Sequence, residues 1–193
     1  MTPVVRLARA DDAPAIAALH EERISEGFLV TLGRRFLTRL YRRIARSPGS
    51  VLLVADAGDR VVGFVAATAS TRSLYADFLR HDALPAGLAA APAVLRAPRR
   101  VWETLHHGRG EHDLPAAEVL SIAVAADAGG QGTGGALLAA ALDALARQGV
   151  TEAQVVTAVG NQTALAMYQR AGFRHHGRTE VHAGVAQEVL VWP

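Results

Sequence analysis

"LSIAVAADAGGQGTGGALL", residues 120–138, decides how this 193-residue chain is read. An apolar run breaks into glycines, and the glycines open a segment with helical spacing. Leu137, Leu138, Ala141, Leu142 and Leu145 fall on one face before Gly149 closes it. Such a turn presents free backbone N–H groups at the positive end of a helix dipole, and both favour an anion. Glycine also lets the backbone approach a phosphate with no Cβ in between. A tight strand-to-helix connection would use some glycine too, but the density here favours the anion.

Which phosphate is held follows from what else the chain supplies. Gly130, Gly132 and Gly135 satisfy the dinucleotide fingerprint G-x-G-x-x-G literally. That fold also wants an acid ~20 residues on, at the end of the next strand, to hold a ribose. Glu152 has the spacing but precedes the strand 153–158, whose far end reads Val156-Thr157-Ala158. A P-loop needs a lysine after its last glycine, and all 20 basic residues here are arginine. Both nucleotide readings fail.

Outward from the turn, the chain reads as one domain, 1–193, with a long excursion at about 69–116. Strand Val4–Ala8 leads into a helix capped by Asp11 or Asp12, with Pro14 in its first turn. Thr31 is expected to cap a second helix, whose apolar stripe is Phe36, Leu37, Leu40, Tyr41 and Ile44. Val51–Ala55 and Arg60–Thr68 read as a hairpin across "DAGD". The excursion holds "LPAGLAAAPAVLRAPRRVWETL", helix-compatible pieces punctuated by Pro85, Pro92 and Pro98. Glu118–Val124 is the strand before the glycines, and helix Gly132–Gln148 follows them. After strand Ala153–Ala158, Asn161 caps a helix closed by Gly172, and Phe173–His182 and Val185–Trp192 pair around "AG".

Composition bounds the chemistry. Half of the residues are apolar, a fifth are charged and the net charge is +2, the balance of a globular chain without a polyanion-binding surplus. The pairs Arg34-Arg35, Arg42-Arg43 and Arg99-Arg100 read as solvated faces. With no cysteine there is no disulfide, thiolate metal site or cysteine nucleophile. No leader-like or membrane-length apolar run is evident, so a cytoplasmic protein is expected. "HHGRGEHD", with His106, His107 and His112, lacks a helical histidine pair and reads as loop rather than metal site.

A second stretch sharpens the reading: "NQTALAMYQRAGF", residues 161–173. Together with the first it closely resembles the two cofactor-binding motifs of the GCN5-related N-acetyltransferases (the GNAT family). Gly132-Thr133-Gly134 matches the Gly-x-Gly of the family's (Arg/Gln)-x-x-Gly-x-(Gly/Ala). Asn161, Ala164, Tyr168, Arg170, Gly172 and Phe173 match Asn-x-x-Ala-x-x-x-Tyr-x-(Lys/Arg)-x-Gly-Phe throughout. The order of elements agrees with the family's. Two departures stand out: the motif's first Arg or Gln falls on Gly129, and Val156 stands where some members carry a glutamate base.

The resemblance implies a mixed α/β fold with a mostly antiparallel sheet, splayed at its centre and flanked by helices. It also implies acetyl-CoA as co-substrate, with the pyrophosphate on the turn formed by Gly130, Gln131, Gly132, Thr133, Gly134 and Gly135. Ile122, Ala123 and Val124 would pair with the pantetheine arm, and a backbone N–H near Ala123–Val124 would polarise the thioester carbonyl. Asn161 and Ala164 would complete the cofactor site, with capping as the alternative role of Asn161. Tyr168 is implied as the acid that protonates the leaving thiolate. Glu118, six residues before Val124, is the candidate base, with a water relay as its competitor. His20, Glu21, Glu22 and Glu26 are candidates to face the amine.

An N-acetyltransferase is therefore expected, acting on a primary amine of a small molecule or a protein N-terminus by direct attack in a ternary complex. No metal, nucleic acid or membrane enters this reading, and a homodimer is left open. The competing reading is a non-catalytic acyl-CoA-binding module of the same fold.

Overall fold

The computed structural model describes residues 2–24, 28–82, 114–180 and 186–193. The elements run β1 (Val4–Leu7), α1 (Ala13–Arg23), α2 (Phe28–Thr31), α3 (Arg34–Ile44), β2 (Ser50–Asp56) and β3 (Val61–Thr68). A helix α4 (71–82) follows, then β4 (Ala117–Val124), α5 (Thr133–Ala146), β5 (Ala153–Ala158), α6 (Gln162–Arg170), β6 (Arg174–Glu180) and β7 (Ala186–Trp192). Seven strands form one sheet in the order β1-β2-β3-β4-β5-β7-β6. Every neighbouring pair is antiparallel except β4 with β5. The expected mixed α/β fold with a mostly antiparallel sheet is what the chain adopts.

The sheet is covered on both faces, which is why β2 and β3 are apolar at successive positions rather than alternating. Consecutive residues of β3 show the two layers. Phe64 meets Tyr41 of α3 edge-on at 5.2 Å and His20 of α1 at 6.4 Å. Gly63, pointing the other way, lies under Leu137 of α5. A Cβ there would come within 3.1 Å of Leu137 Cδ1 and 3.2 Å of the Ala123 carbonyl, so the close seating of α5 over β3 and β4 favours glycine.

The apolar stripe of α3 is buried as its spacing predicts, through Phe36, Leu37, Tyr41 and Ile44. Its start is not where the sequence reading put it. Thr31 ends the short α2, and the N-cap of α3 is Gly33, whose φ of +80° turns the chain into the new helix. Asp12 does stand at the N-cap of α1 but makes no side-chain cap bond. Its carboxylate takes two bonds from Arg6, at 2.7 and 3.0 Å, and one from the Arg9 N–H.

The excursion after Thr68 opens with α4, a helix docked on α3. Phe78 packs against Phe36 at 5.7 Å, Arg43 pairs with Asp82 at 2.5 Å, and Ser47 hydrogen-bonds Asp77. Arg43 is thus committed to an ion pair and is not simply a solvated charge. Residues 83–113, with the histidines of "HHGRGEHD", and the turn at 183–184 lie outside the described residues.

Candidate active site

The sheet opens at the one parallel junction among the described strands. β4 pairs with β5 through Ala117, Val119 and Glu118, opposite Ala153, Val155 and Gln154, and the ladder then stops. Beyond it β5 stays with β7, through Val156, Thr157 and Ala158. β4 stays with β3 up to Val124. From Ser121 on, the β5-side edge of β4 has no strand partner among the described residues, and this edge includes Ile122, Ala123 and Val124. A bulge marks the departure. Ala66 faces Ser121 while Ala67 faces Val119, so Leu120 is the extra residue.

The β3 partners show what the bulge does to the side chains. Glu118 is opposite Thr68 and Ser121 is opposite Ala66, and Thr68, Ala66 and Phe64 share the α1/α3 face. Without the extra residue, Glu118 and Ser121 would point to opposite faces; with it they share one. Glu118 is half-buried, and desolvation pushes its carboxyl up to about 7. A carboxyl in that range can hold or release a proton at neutral pH.

Past Val124 the chain makes a short turn, Ala126–Ala128, and enters the glycines. Gly130 and Gly132 hold φ of +76° and +79°, the left-handed region that other residues avoid. Gly132 is the N-cap of α5. Among the described residues, the N–H groups of Gly130, Gln131, Gly132, Thr133, Gly134 and Gly135 find no acceptor within the chain. Six successive donors without a partner among the described residues, at a helix N-terminus, are an arrangement that favours an anion. Gly129 stands just before it in extended backbone, so the side chain missing there leaves these donors in place.

Helix α6 closes the site against that turn. A Cβ on Gly134 would meet Met167 Sδ at 3.0 Å, which places α6 beside the glycine turn. The side chain of Asn161 accepts the Ala164 N–H at 3.2 Å, so its capping role is real. At the other end the spacing Tyr-x-x-x-Gly-Phe is a helix-ending device. Phe173 N–H bonds the Tyr168 carbonyl, Gly172 N–H bonds that of Gln169, and Gly172 has φ of +95°. The ring of Phe173 then packs on that of Tyr168 at 5.5 Å. Tyr168 is 4% exposed, and its hydroxyl has no hydrogen-bond partner among the described residues. Burial raises its pKa, so the phenol stays protonated.

The candidates on α1 come out differently. His20 faces the core, 3% exposed, with Nδ1 2.5 Å from Tyr41 Oη. It sits four residues after Ile16, on the buried stripe of α1, so it does not face solvent or an incoming amine. Glu21 pairs with Arg34 at 2.6 Å, Glu22 is exposed, and Glu26 lies outside the described residues. Sequence reasoning took Tyr41 for plain core and passed over Ser121, although the two are bonded at 3.0 Å. A tyrosine inside an apolar stripe was the available signal, since a buried phenol needs a partner. Among the described residues no cluster of three His, Asp or Glu could hold a metal, and no helix is long and apolar enough to cross a membrane.

Known proteins share this fold. The "mycothiol acetyltransferase" of Clavibacter michiganensis subsp. michiganensis is 47% identical over 58 residues, 30% of this chain. That match spans 19% of the relative's length. The phosphinothricin acetyltransferase of Sinorhizobium meliloti, solved in complex with acetyl-CoA, superposes with a TM-score of 0.66 at 18% identity, covering 100% of this chain and 89% of that one. The yncA protein of Salmonella typhimurium, solved with its cofactor acetyl-CoA, gives 0.64 at 13% identity over 99% and 93%. At such identities the two structures establish the fold alone. The profile of the acetyltransferase (GNAT) family matches residues 16–173, and this chain belongs to that family.

Proposed function

We propose that the chain transfers an acetyl group from acetyl-CoA to a primary amine, in a ternary complex with no acyl-enzyme. The observation that carries this is the run of six N–H groups from Gly130 to Gly135 without a partner among the described residues, set beside an edge of β4 that has no strand partner among them either. The run suits a pyrophosphate, and the edge suits an extended arm bearing amide groups. Acetyl-CoA supplies an acyl group already activated as a thioester.

The chain's own residues then have separate tasks. The backbone of Ile122, Ala123 and Val124 holds the arm, and an N–H there meets the thioester oxygen as charge builds on it. Glu118 accepts the proton that the amine must lose as its nitrogen bonds to the carbonyl carbon. A carboxyl near 7 is ionised often enough to do so at neutral pH. Tyr168 donates to the sulfur as the C–S bond breaks, and its raised pKa keeps that donor neutral and protonated at every working pH. Asn161 and Ala164 stand at the N-terminal end of α6, opposite the end that carries Tyr168.

The experiment has two arms. Calorimetry compares acetyl-CoA with NAD, and thiol release from acetyl-CoA is followed over a panel of amines that includes small metabolites, amino sugars, polyamines and N-terminal peptides. Acetyl-CoA binding with turnover of at least one amine is the expected result. Tight NAD binding without an acetyl-CoA signal would end the acetyl-CoA reading. Binding without turnover of any amine would leave a non-catalytic acyl-CoA-binding module.

A further inference from the structure

Three polar side chains from three elements meet beneath the free half of β4. His20 Nδ1 is 2.5 Å from Tyr41 Oη, which is 3.0 Å from Ser121 Oγ. Tyr41 is fully buried and His20 nearly so, walled by the ring of Phe64. A polar chain in such surroundings is costly unless satisfied, and here the three side chains satisfy one another.

The chain does not serve as a proton wire. Burial pushes the His20 imidazole down to about 4 and raises the Tyr41 phenol. Passing a proton from an ammonium of pKa about 9 to His20 would run ~5 pKa units uphill, an equilibrium of about 10⁵ against it. The network is neutral and fixed, so its use lies in what it holds.

What it holds is the residue immediately after the bulge. Ser121 is the first β4 residue on the β3 ladder beyond the last rung with β5, and from there β4 is paired on one side only. A bulged strand with one neighbour is less constrained than the doubly paired part of the same strand. The Ser121–Tyr41 bond ties it to the α1/α3 layer instead.

We propose that Tyr41 and His20 are positioning residues, acting through Ser121 to fix the free half of β4 and so the backbone N–H that meets the thioester carbonyl. This rests on the reading above that the thioester lies against Ile122–Val124. Oxyanion donors lose most of their effect when displaced by about 1 Å, so a single tether at the bulge has a large lever on rate.

The test reads the carbonyl directly, through the ¹³C resonance of [1-¹³C]acetyl-CoA bound to wild type, Ser121→Ala and Tyr41→Phe. Ser121→Ala leaves the His20–Tyr41 bond and all ring packing in place. In wild type the bound carbonyl is expected to move downfield of the free ligand as the N–H polarises it. In Ser121→Ala it moves back toward the free value and kcat falls about tenfold, while acetyl-CoA affinity and Tm hold. Tyr41→Phe gives the same loss of shift with a lower Tm. If Ser121→Ala keeps the wild-type shift and rate, the network is a core device only and the proposal fails. A wild type that binds acetyl-CoA with no downfield shift also overturns it. A wild type that does not bind acetyl-CoA overturns the acetyl-CoA reading, and this inference with it.

Discussion

The two ends of β4 are built in opposite ways. From Ile122 onward the candidate site is made of backbone: a strand edge and a run of N–H groups without partners among the described residues, and two left-handed glycines. From Ala117 to Ser121 it is made of side chains brought from elsewhere, with Glu118 beside Thr68 and Ser121 tied to Tyr41 and His20. A backbone site tolerates the loss of most side chains but not a forced change of φ and ψ. A side-chain site has the reverse sensitivity. Tyr168 crosses the division in the proposed mechanism, since it stands beside the backbone-built half and would act through one hydroxyl.

That exception gives the largest expected effect. Tyr168→Phe keeps the ring on Phe173 and removes only an oxygen that has no partner among the described residues. The fold should lose nothing, acetyl-CoA affinity should hold, and kcat should fall about a hundredfold if the hydroxyl acts on the sulfur. Single-turnover rates beside a binding titration check it. An unchanged single-turnover rate would return Tyr168 to the core and leave the backbone-built half purely backbone.

Glu118→Gln comes next, because it probes the side-chain half. With its carboxyl near 7, wild-type kcat/KM should climb with pH until Glu118 is ionised. The variant lacks that limb and gains rate only as the amine deprotonates itself, at about 8 to 10. The deficit should be on the order of tenfold to a hundredfold near pH 7 and close as pH rises. Stability should move the other way. A folded-state carboxyl raised above its ordinary value favours the protonated form, so wild-type stability falls as pH climbs from the ordinary carboxyl range to about 7 and then levels. The Gln variant carries no such cost and should melt higher than wild type at pH 8, with the gap vanishing near pH 4. Parallel pH–rate profiles of equal height would leave water alone as the base.

The same division explains what could be read in advance. Gly130, Gly132 and Gly172 announce their geometry, since positive φ is a local demand that glycine answers within a few residues. The second motif was legible for the same reason, its Tyr168, Gly172 and Phe173 being one helix end. The Ser121–Tyr41–His20 chain was not legible. It joins residues 80 and 21 positions apart, and it depends on a bulge at Leu120 that no glycine or proline marks. Thr31 misled for a related reason: it has a cap's chemistry, but Gly33 two residues later supplies the φ that the turn into α3 needs.

Gly132→Val tests the backbone half on its own terms. A β-branched residue at φ of +79° costs ~1–3 kcal/mol, although nothing lies within 4 Å of the added Cβ. Acetyl-CoA affinity should fall about tenfold with little change in the rate of the bound complex. Gly134→Val is the contrast, because its Cβ meets Met167 Sδ at 3.0 Å, the far end of a flexible chain. A bulky side chain there also crowds the approach of a phosphate to the turn. Combining it with Met167→Ala separates the two causes: restored binding would trace the loss to Met167, and persistent loss to the phosphate.

The smallest expected effect belongs to Asn161, whose side chain straddles the two modes. Its Oδ1 caps α6 by accepting the Ala164 N–H at 3.2 Å, which leaves the amide NH₂ as a donor for a ligand. Asn161→Ala removes both functions and should cost about 1 kcal/mol, or ~2–4 °C in Tm for a chain of this length. Asn161→Asp keeps the capping oxygen and removes only the donor. If capping is the whole role, Asp should match wild type in Tm, and neither variant should change acetyl-CoA affinity once α6 is folded. If the amide also reaches the pantetheine, Asp should weaken acetyl-CoA binding a few-fold at unchanged Tm, the size of one ordinary hydrogen bond. Thermal melts paired with calorimetry on both variants decide between them. A drop in affinity for Asp would place a second side chain, after Tyr168, in a half of the site otherwise built from backbone.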